Sequence, residues 1–239
     1  MAGETGLEPG WVRKALAEFL GAMALIVFGA GSVVATTGPR FDAGTALLIR
    51  SLAHGLVIAV MASAIAPISG GQISPAVTVG LLVARKIRAS TAVVVIVAQL
   101  LGSILGALIL LGMFPPSQVT DSRLGTPGLA VGMSEGTGAF VELVLTFFLA
   151  FVVLATAVDP RGAAKQFSAL AIGLTVAIDW LLGGTLTGAA MSPGRWLGPA
   201  IVSGILDHAW VYWVGPLLGG GLGGYLYAAA FLPREKPTP

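Results

Sequence analysis

Serine followed by proline occurs at Ser74-Pro75 and again at Ser192-Pro193, each time after a glycine-containing turn and before a short apolar run. A serine oxygen can accept an orphan N–H at a helix start, and proline at the first helical position has no N–H to orphan. Two helices starting in this way and meeting end to end would bring two positive dipole ends together. Such a junction repels cations, yet it lets a neutral molecule hydrogen-bond to the Ser74 and Ser192 hydroxyls. The other groups able to do chemistry are few: Glu18 and Glu142, His54 and His208, Arg195 and Asp179. There are no cysteines. No Ser/His/Asp arrangement or metal-ligand cluster can be assembled, so neither a catalytic reaction nor a metal or other cofactor is expected.

The elements that carry these residues are membrane spans. Of 239 residues, 56% are hydrophobic and 10% charged, against about a quarter charged in a soluble domain. A span needs roughly 20 mostly apolar residues. Six stretches satisfy this: about Val12–Thr36, Ala46–Pro67, Ser90–Phe114, Gly138–Val158, Phe167–Gly184 and His208–Leu232. Pro75–Ala84 and Pro193–Ile205 are apolar but too short to cross, and read as re-entrant half-helices. Irregular backbone at membrane depth is tolerated only where protein or a water-filled cavity covers it, so two such segments imply a lumen. The polar, glutamate-containing start MAGETGLEPG does not read as a signal peptide. The expected fold is an all-α membrane protein in one domain over residues 1–239.

The basic residues set the orientation. With the N-terminus inside, Arg13, Lys14, Arg85, Lys86, Arg88, Arg161, Lys165, Arg234 and Lys236 are cytoplasmic, and only Arg40, Arg50 and Arg123 lie outside. Both termini are therefore expected in the cytoplasm, and the chain in a plasma (inner) membrane. A formal charge of +2 with bases confined to span ends gives no patch for nucleic acid. The chain also repeats itself: Glu18 precedes Ser74 by 56 residues and Glu142 precedes Ser192 by 50. The repeats run from about 11 to 114 and from about 138 to 232. Three spans per repeat is an odd number, so the second copy is inverted, a plan that places the site at the repeat interface near the midplane.

The segments SGGQISPAVTVG (Ser69–Gly80), TGAAMSPGRWLGPA (Thr187–Ala200), AQLLG (Ala98–Gly102) and YWVGPLLGG (Tyr212–Gly220) resemble those of the aquaporin and aquaglyceroporin (major intrinsic protein) family. The resemblance runs from Glu18 to about Gly224. The family's paired Asn-Pro-Ala boxes stand here as Ser74-Pro75-Ala76 and Ser192-Pro193-Gly194, so both asparagines are replaced. Serine must then cap the helix and donate to the solute with one hydroxyl. The resemblance implies a pore for water and small uncharged solutes, a homotetrameric assembly, and loop-supporting roles for Glu18 and Glu142. Read from the residues alone, those two carboxylates could equally serve a proton relay.

Near the outer mouth, the family carries a ring of four residues that sets solute size, and matching places it at His54, Trp180, Ala189 and Arg195. An arginine at membrane depth is functional by default; its charge would repel cations and its N–H groups orient a dipole. Histidine at the first position and tryptophan at the second depart from the usual phenylalanine and histidine. The resemblance leans to water over glycerol: Ala200 stands where glycerol-type members carry lysine, and Tyr212 and Trp213 form the aromatic pair of water-selective ones. Trp196 fits neither type. Asp179 either pairs with Arg195 or faces the outer interface. Gly102/Gly106 and Gly219/Gly223 have the spacing for close helix packing. The alternatives are a facilitator of glycerol, urea or ammonia and, in another class, an ion-coupled transporter, for which Glu18 and Glu142 would be the only titratable midplane residues.

Overall fold

The computed structural model describes residues 10–162 and 165–233. The expected cytoplasmic Arg234 and Lys236, and most of the polar N-terminal stretch, lie outside the described residues. Among the described residues nine helices carry the fold: α1 (Trp11–Thr36), α2 (Ala43–Ser69), α3 (Pro75–Val83), α4 (Ala89–Met113), α5 (Pro116–Asp121), α6 (Glu135–Val158), α7 (Ser168–Gly183), α8 (Pro193–Ser203) and α9 (Ala209–Ala230). There are no strands among the described residues. Five helices are long and apolar enough to cross a membrane: α1, α2, α4, α6 and α7, the last with the short turn that precedes it. The sixth, α9, has 22 residues. At about 1.5 Å rise per residue it too spans the roughly 30 Å hydrocarbon core, but its glycines and aromatic residues dilute its hydropathy. This is an integral membrane protein with six long helices and two short re-entrant ones.

The outer surface is apolar where lipid would lie. Leu174, Ile178 and Leu182 form an exposed stripe on α7, and Leu101, Leu105 and Leu108 one on α4, the i, i+4 spacing of a single helical face. Inside, glycine sets the helix separations. A Cβ on Gly102 or Gly106 of α4 would meet the Phe19 or Met23 carbonyl of α1 at 2.1 and 2.7 Å. The matching pair on α9, Gly219 and Gly223, would meet the Leu143 and Phe147 carbonyls of α6 at 2.2 and 2.4 Å. The same small-residue seam is thus built twice. The half-helices interlock the repeats: α3 packs on α9 of the second repeat, and α8 on α4 of the first.

Two features escaped the sequence reading. The segment between the repeats contains α5 and a tight turn at Arg123–Gly125, both too polar and too short for a hydropathy reading to find. At the far end of α6, Asp159 accepts from Arg161 and from the Tyr227 hydroxyl at 2.9 Å, and Arg161 also donates to the Phe231 carbonyl closing α9. The guanidinium holds the Asp159 carboxyl well below the usual carboxylate range against the opposing effect of burial. Because this pKa is depressed, the stability it contributes is full above the ordinary carboxylate value and is lost only as pH falls through the lowered one.

Candidate functional site

Both re-entrant loops are held in the same unusual backbone shape. Gly70, Gly71 and Ile73 have positive φ in the first, and Gly188, Ala189 and Met191 in the second. For residues with a Cβ this costs roughly 1–2 kcal/mol each, so something must hold them there. Glu18 does so in the first repeat: Oε1 accepts from the Ser69 hydroxyl at 2.6 Å and the Gln72 N–H at 2.8 Å, Oε2 from the Ile73 N–H at 2.6 Å and the Gln99 amide at 2.8 Å. In the second, Glu142 accepts from the Thr187 hydroxyl at 2.6 Å, the Ala190 N–H at 2.9 Å and the Met191 N–H at 2.7 Å. Both carboxylates are fully buried and fully engaged with loop donors.

This arrangement also aims the loop carbonyls. No peptide is cis, so N–H and C=O of one unit point opposite ways. With the Ala190 and Met191 N–H groups turned to Glu142, the Ala189 and Ala190 carbonyls point away from it. Residues 189–191 line a narrow internal cavity. Its other lining residues are Ser74, Ser192, His54, Trp180 and Arg195, which carry polar groups, and the apolar Leu25, Ile58, Leu149 and Val176. Its volume is about 30 Å³, against roughly 10–15 Å³ for one water in the same measure. It is a thread for about two waters in line.

Where Ser74 and Ser192 line this cavity the half-helices meet. Ser74 caps α3, its oxygen accepting the Ala76 N–H at 3.2 Å and its hydroxyl reaching the Met191 carbonyl of the other repeat at 3.4 Å. Ser192 caps α8 by accepting from the Arg195 N–H at 3.5 Å. Pro75 and Pro193 each open their helix. The glycine of Ser192-Pro193-Gly194 has a local reason: a Cβ there would meet the Ser103 hydroxyl at 2.9 Å and Pro75 at 3.7 Å. Ala76, its counterpart, is fully buried against α9, where a Cβ on Gly220 would meet the Ala76 carbonyl at 2.3 Å. Gly194→Ala is therefore expected to lower thermal stability by about 1–3 kcal/mol, and Ser103→Gly in the same chain to restore most of it; a melting series in detergent checks this.

The other cavity-lining residues expected from the sequence are His54, Trp180, Ala189 and Arg195. The Arg50 carbonyl can only accept, so His54 Nδ1, 2.7 Å away, carries the proton. His54 Nε2 is left to accept the Arg195 Nε–H at 3.0 Å. Trp180 stacks on His54 with ring centres 4.1 Å apart, so the two rings form one unit rather than facing walls. The Trp180 indole N–H has no partner among the described residues, although Trp180 is buried and lines the cavity. Ala189 contributes only its backbone and a methyl group, fully buried. Arg195, 2% exposed, also donates from Nη1 to the Gly125 carbonyl at 2.9 Å.

Asp179 takes neither expected position. It is buried on α7, makes no ion pair with Arg195 among the described residues, and its Oδ2 has no hydrogen-bond partner there. Trp196 and Tyr212 stack behind the second loop with ring centres 5.9 Å apart, and Tyr212 donates to the Thr187 carbonyl at 2.9 Å. Tyr212 thus braces the loop from outside the cavity. Three contributors went unread in the sequence: Gln99, Gly125 and Gly29. A lone glutamine in the apolar span α4 was a signal for the first. Gly29 is where a Cβ would meet the His54 ring at 2.8 Å; like the Gly125 carbonyl, it left no trace in the pattern.

A family profile described as Major intrinsic protein matches residues 7–227. Aquaporin TIP4-4 of Zea mays is 41% identical over 237 residues, covering 97% of this chain and 92% of that protein. Aquaporin-4 of Mus musculus is 41% identical over 217 residues, 91% of this chain and 67% of that protein. Among solved structures, the aquaglyceroporin from Plasmodium falciparum superposes with a TM-score of 0.82 at 26% identity, covering 92% of this chain and 96% of that one.

Proposed function

This chain belongs to the major intrinsic protein family, and from that premise we propose that it is a passive water channel whose pathway is the thread between the Ser74/Ser192 junction and the His54–Trp180–Arg195 cluster. The observation that carries this reading is the cavity itself: about 30 Å³, with mostly apolar walls in which the Ser74 and Ser192 caps and the His54 and Arg195 side chains are among the few polar groups. Those few groups replace part of the hydration that a water loses on entry, and the apolar walls keep it from binding tightly enough to stop. A cavity of about 30 Å³ holds about two waters and is too small for glycerol, so water is the favoured solute. The aquaglyceroporin neighbour supports the alternative, a glycerol, urea or ammonia facilitator, at the level of architecture.

The pore midpoint is Ser74, Pro75 and Ala76 with Ser192, Pro193 and Gly194; the selectivity filter is His54, Trp180, Ala189 and Arg195; Glu18 and Glu142 hold the loops. The carboxylates belong to the loop scaffold, so neither Glu18 nor Glu142 is free to carry a proton, which argues against ion coupling through them. One channel domain over residues 1–239, built from repeats at about 11–114 and 138–232, works without a catalytic step. Both termini face the cytoplasm of a plasma membrane, and the working form is a homotetramer with one pore per subunit.

Stopped-flow light scattering on proteoliposomes tests the reading. Water flux should exceed that of protein-free vesicles by at least about tenfold, a barrier difference of roughly 1.4 kcal/mol, and remain linear in the osmotic gradient, with glycerol and urea near background. A saturable, proton-dependent flux would show a transporter instead. Ser74→Asn with Ser192→Asn should alter at least one solute ratio or the proton leak, because an amide at the junction adds a fixed donor where a hydroxyl can also accept. Identical fluxes for every solute would mean that the junction does not touch what permeates.

A further inference from the structure

The two groups that hold Arg195 rest on one element, the π-helical turn Leu25–Ala30 in the middle of α1. π turns inside α-helices are uncommon and occur often at functional sites. Gly29 leaves room for the His54 ring. Ala30 closes against Gly125, where a Cβ would come within 2.7 Å of the Ala30 carbonyl. Leu25 lines the cavity directly. Gly125 belongs to a turn in which three successive residues, Arg123, Leu124 and Gly125, have φ of 54°, 53° and 70°. Two of these carry side chains that disfavour such a backbone, so the turn must be held from outside.

Leu124 supplies the anchor. It lies in an outer loop, yet it is fully buried, in a cluster with Ile26 and Ala30 of the π turn and Ala107 and Leu110 of α4. The exposed Arg123–Asp207 pair at 3.0 Å and the Thr126–Ser203 hydroxyl contact at 3.2 Å tie the loop to the α8–α9 connection, but pairs at the surface fix position weakly. The buried leucine is the contact that sets where the Gly125 carbonyl stands, and that carbonyl sets where the Arg195 guanidinium stands.

We propose that Leu124, seated on the π turn of α1, is a specificity-determining positioning residue: it touches no solute, and it fixes the width of the outer constriction by holding the Gly125 carbonyl against Arg195. This rests on the channel reading above. With the socket partly emptied, the turn relaxes, Arg195 loses one of its two acceptors, and the constriction loosens for solutes larger than water.

The test compares the full chain with Leu124→Ala, Leu124→Val, Arg195→Ala and the double variant Leu124→Ala/Arg195→Ala in proteoliposomes, at equal protein per vesicle, with water, urea and glycerol gradients. Water flux of the unaltered chain tests the channel reading by itself. For the inference, Leu124→Ala should raise the urea-to-water ratio by about fivefold, the size of a coupling near 1 kcal/mol, and Leu124→Val should move it less in the same direction. On the Arg195→Ala background the leucine change should add nothing, because the group it acts through is gone. An unchanged ratio in either assembled leucine variant overturns the proposal. So does an effect of Leu124→Ala that is as large without Arg195 as with it, which would mark the leucine as ordinary core.

Discussion

Glu18→Ala and Glu142→Ala are each expected to abolish water flux in proteoliposomes, with Glu18→Ala lowering thermal stability the more. At Glu18 the loss strands the Gln72 and Ile73 N–H groups and the Gln99 amide, besides the Ser69 hydroxyl; at Glu142 it strands the Ala190 and Met191 N–H groups and the Thr187 hydroxyl. A buried donor without an acceptor costs about 1–3 kcal/mol, so three N–H donors put Glu18→Ala in the range of roughly 3–9 kcal/mol. The loops cannot relax into an ordinary shape to recover this cost without swinging their carbonyls out of the thread, because the left-handed residues 73, 189 and 191 are stable only while the carboxylates hold them. Glu18→Gln and Glu142→Gln should be intermediate: an amide retains one accepting oxygen and turns its NH2 toward at least one backbone donor. Near-normal flux in Glu18→Ala would mean that the loop keeps its shape without the carboxylate, and would remove the physical basis assigned to the pair.

The same carboxylates show what the sequence could and could not reveal. Glu18 and Glu142 stood out because a charge in an apolar run is rare and because each precedes a Ser-Pro step by a similar interval. Spans were legible from apolar length alone, and the half-helices from the Ser-Pro cap followed by too few apolar residues to cross. α9 was readable as a span by length, although glycine lowers its hydropathy. Side-chain pairing was not legible. Asp179 could be placed opposite Arg195 or at the interface, and it occupies neither place, because the rotation of α7 is set by the fit of Gly173 against Gly55 of α2, where a Cβ would come within 2.4 Å of the Gly55 carbonyl. The stacking of His54 on Trp180 has the same origin: the residues are 126 positions apart and meet because α2 and α7 approach closely. The Arg123–Gly125 turn was beyond reach for another reason. Nothing in Arg-Leu-Gly distinguishes a leucine on a surface loop from one sunk between two helices; the socket is made by Ile26, Ala30, Ala107 and Leu110, which are distant in the chain.

Arg195→Ala is expected to raise urea and glycerol flux by at least about tenfold, a barrier change near 1.4 kcal/mol, and to open a measurable leak of small cations, with water flux changed far less. Two separate effects combine here. The side chain lines the cavity, so truncating it should widen the proposed passage. Its charge is also unneutralised at contact distance, since both of its acceptors, His54 Nε2 at 3.0 Å and the Gly125 carbonyl at 2.9 Å, are neutral. A unit charge repels another at 4 Å by about 4 kcal/mol at an effective dielectric of 20, roughly a thousandfold in cation passage. His54→Ala separates the two effects. It empties space beside Trp180 while leaving the guanidinium on Gly125, so urea should rise while cations stay excluded. The difference in cation leak between the two variants therefore measures the charge, and their shared rise in urea measures the width. Equal cation leak in both would place the barrier elsewhere, at the Ser74/Ser192 junction, where the facing N-termini of α3 and α8 are a second source of positive potential.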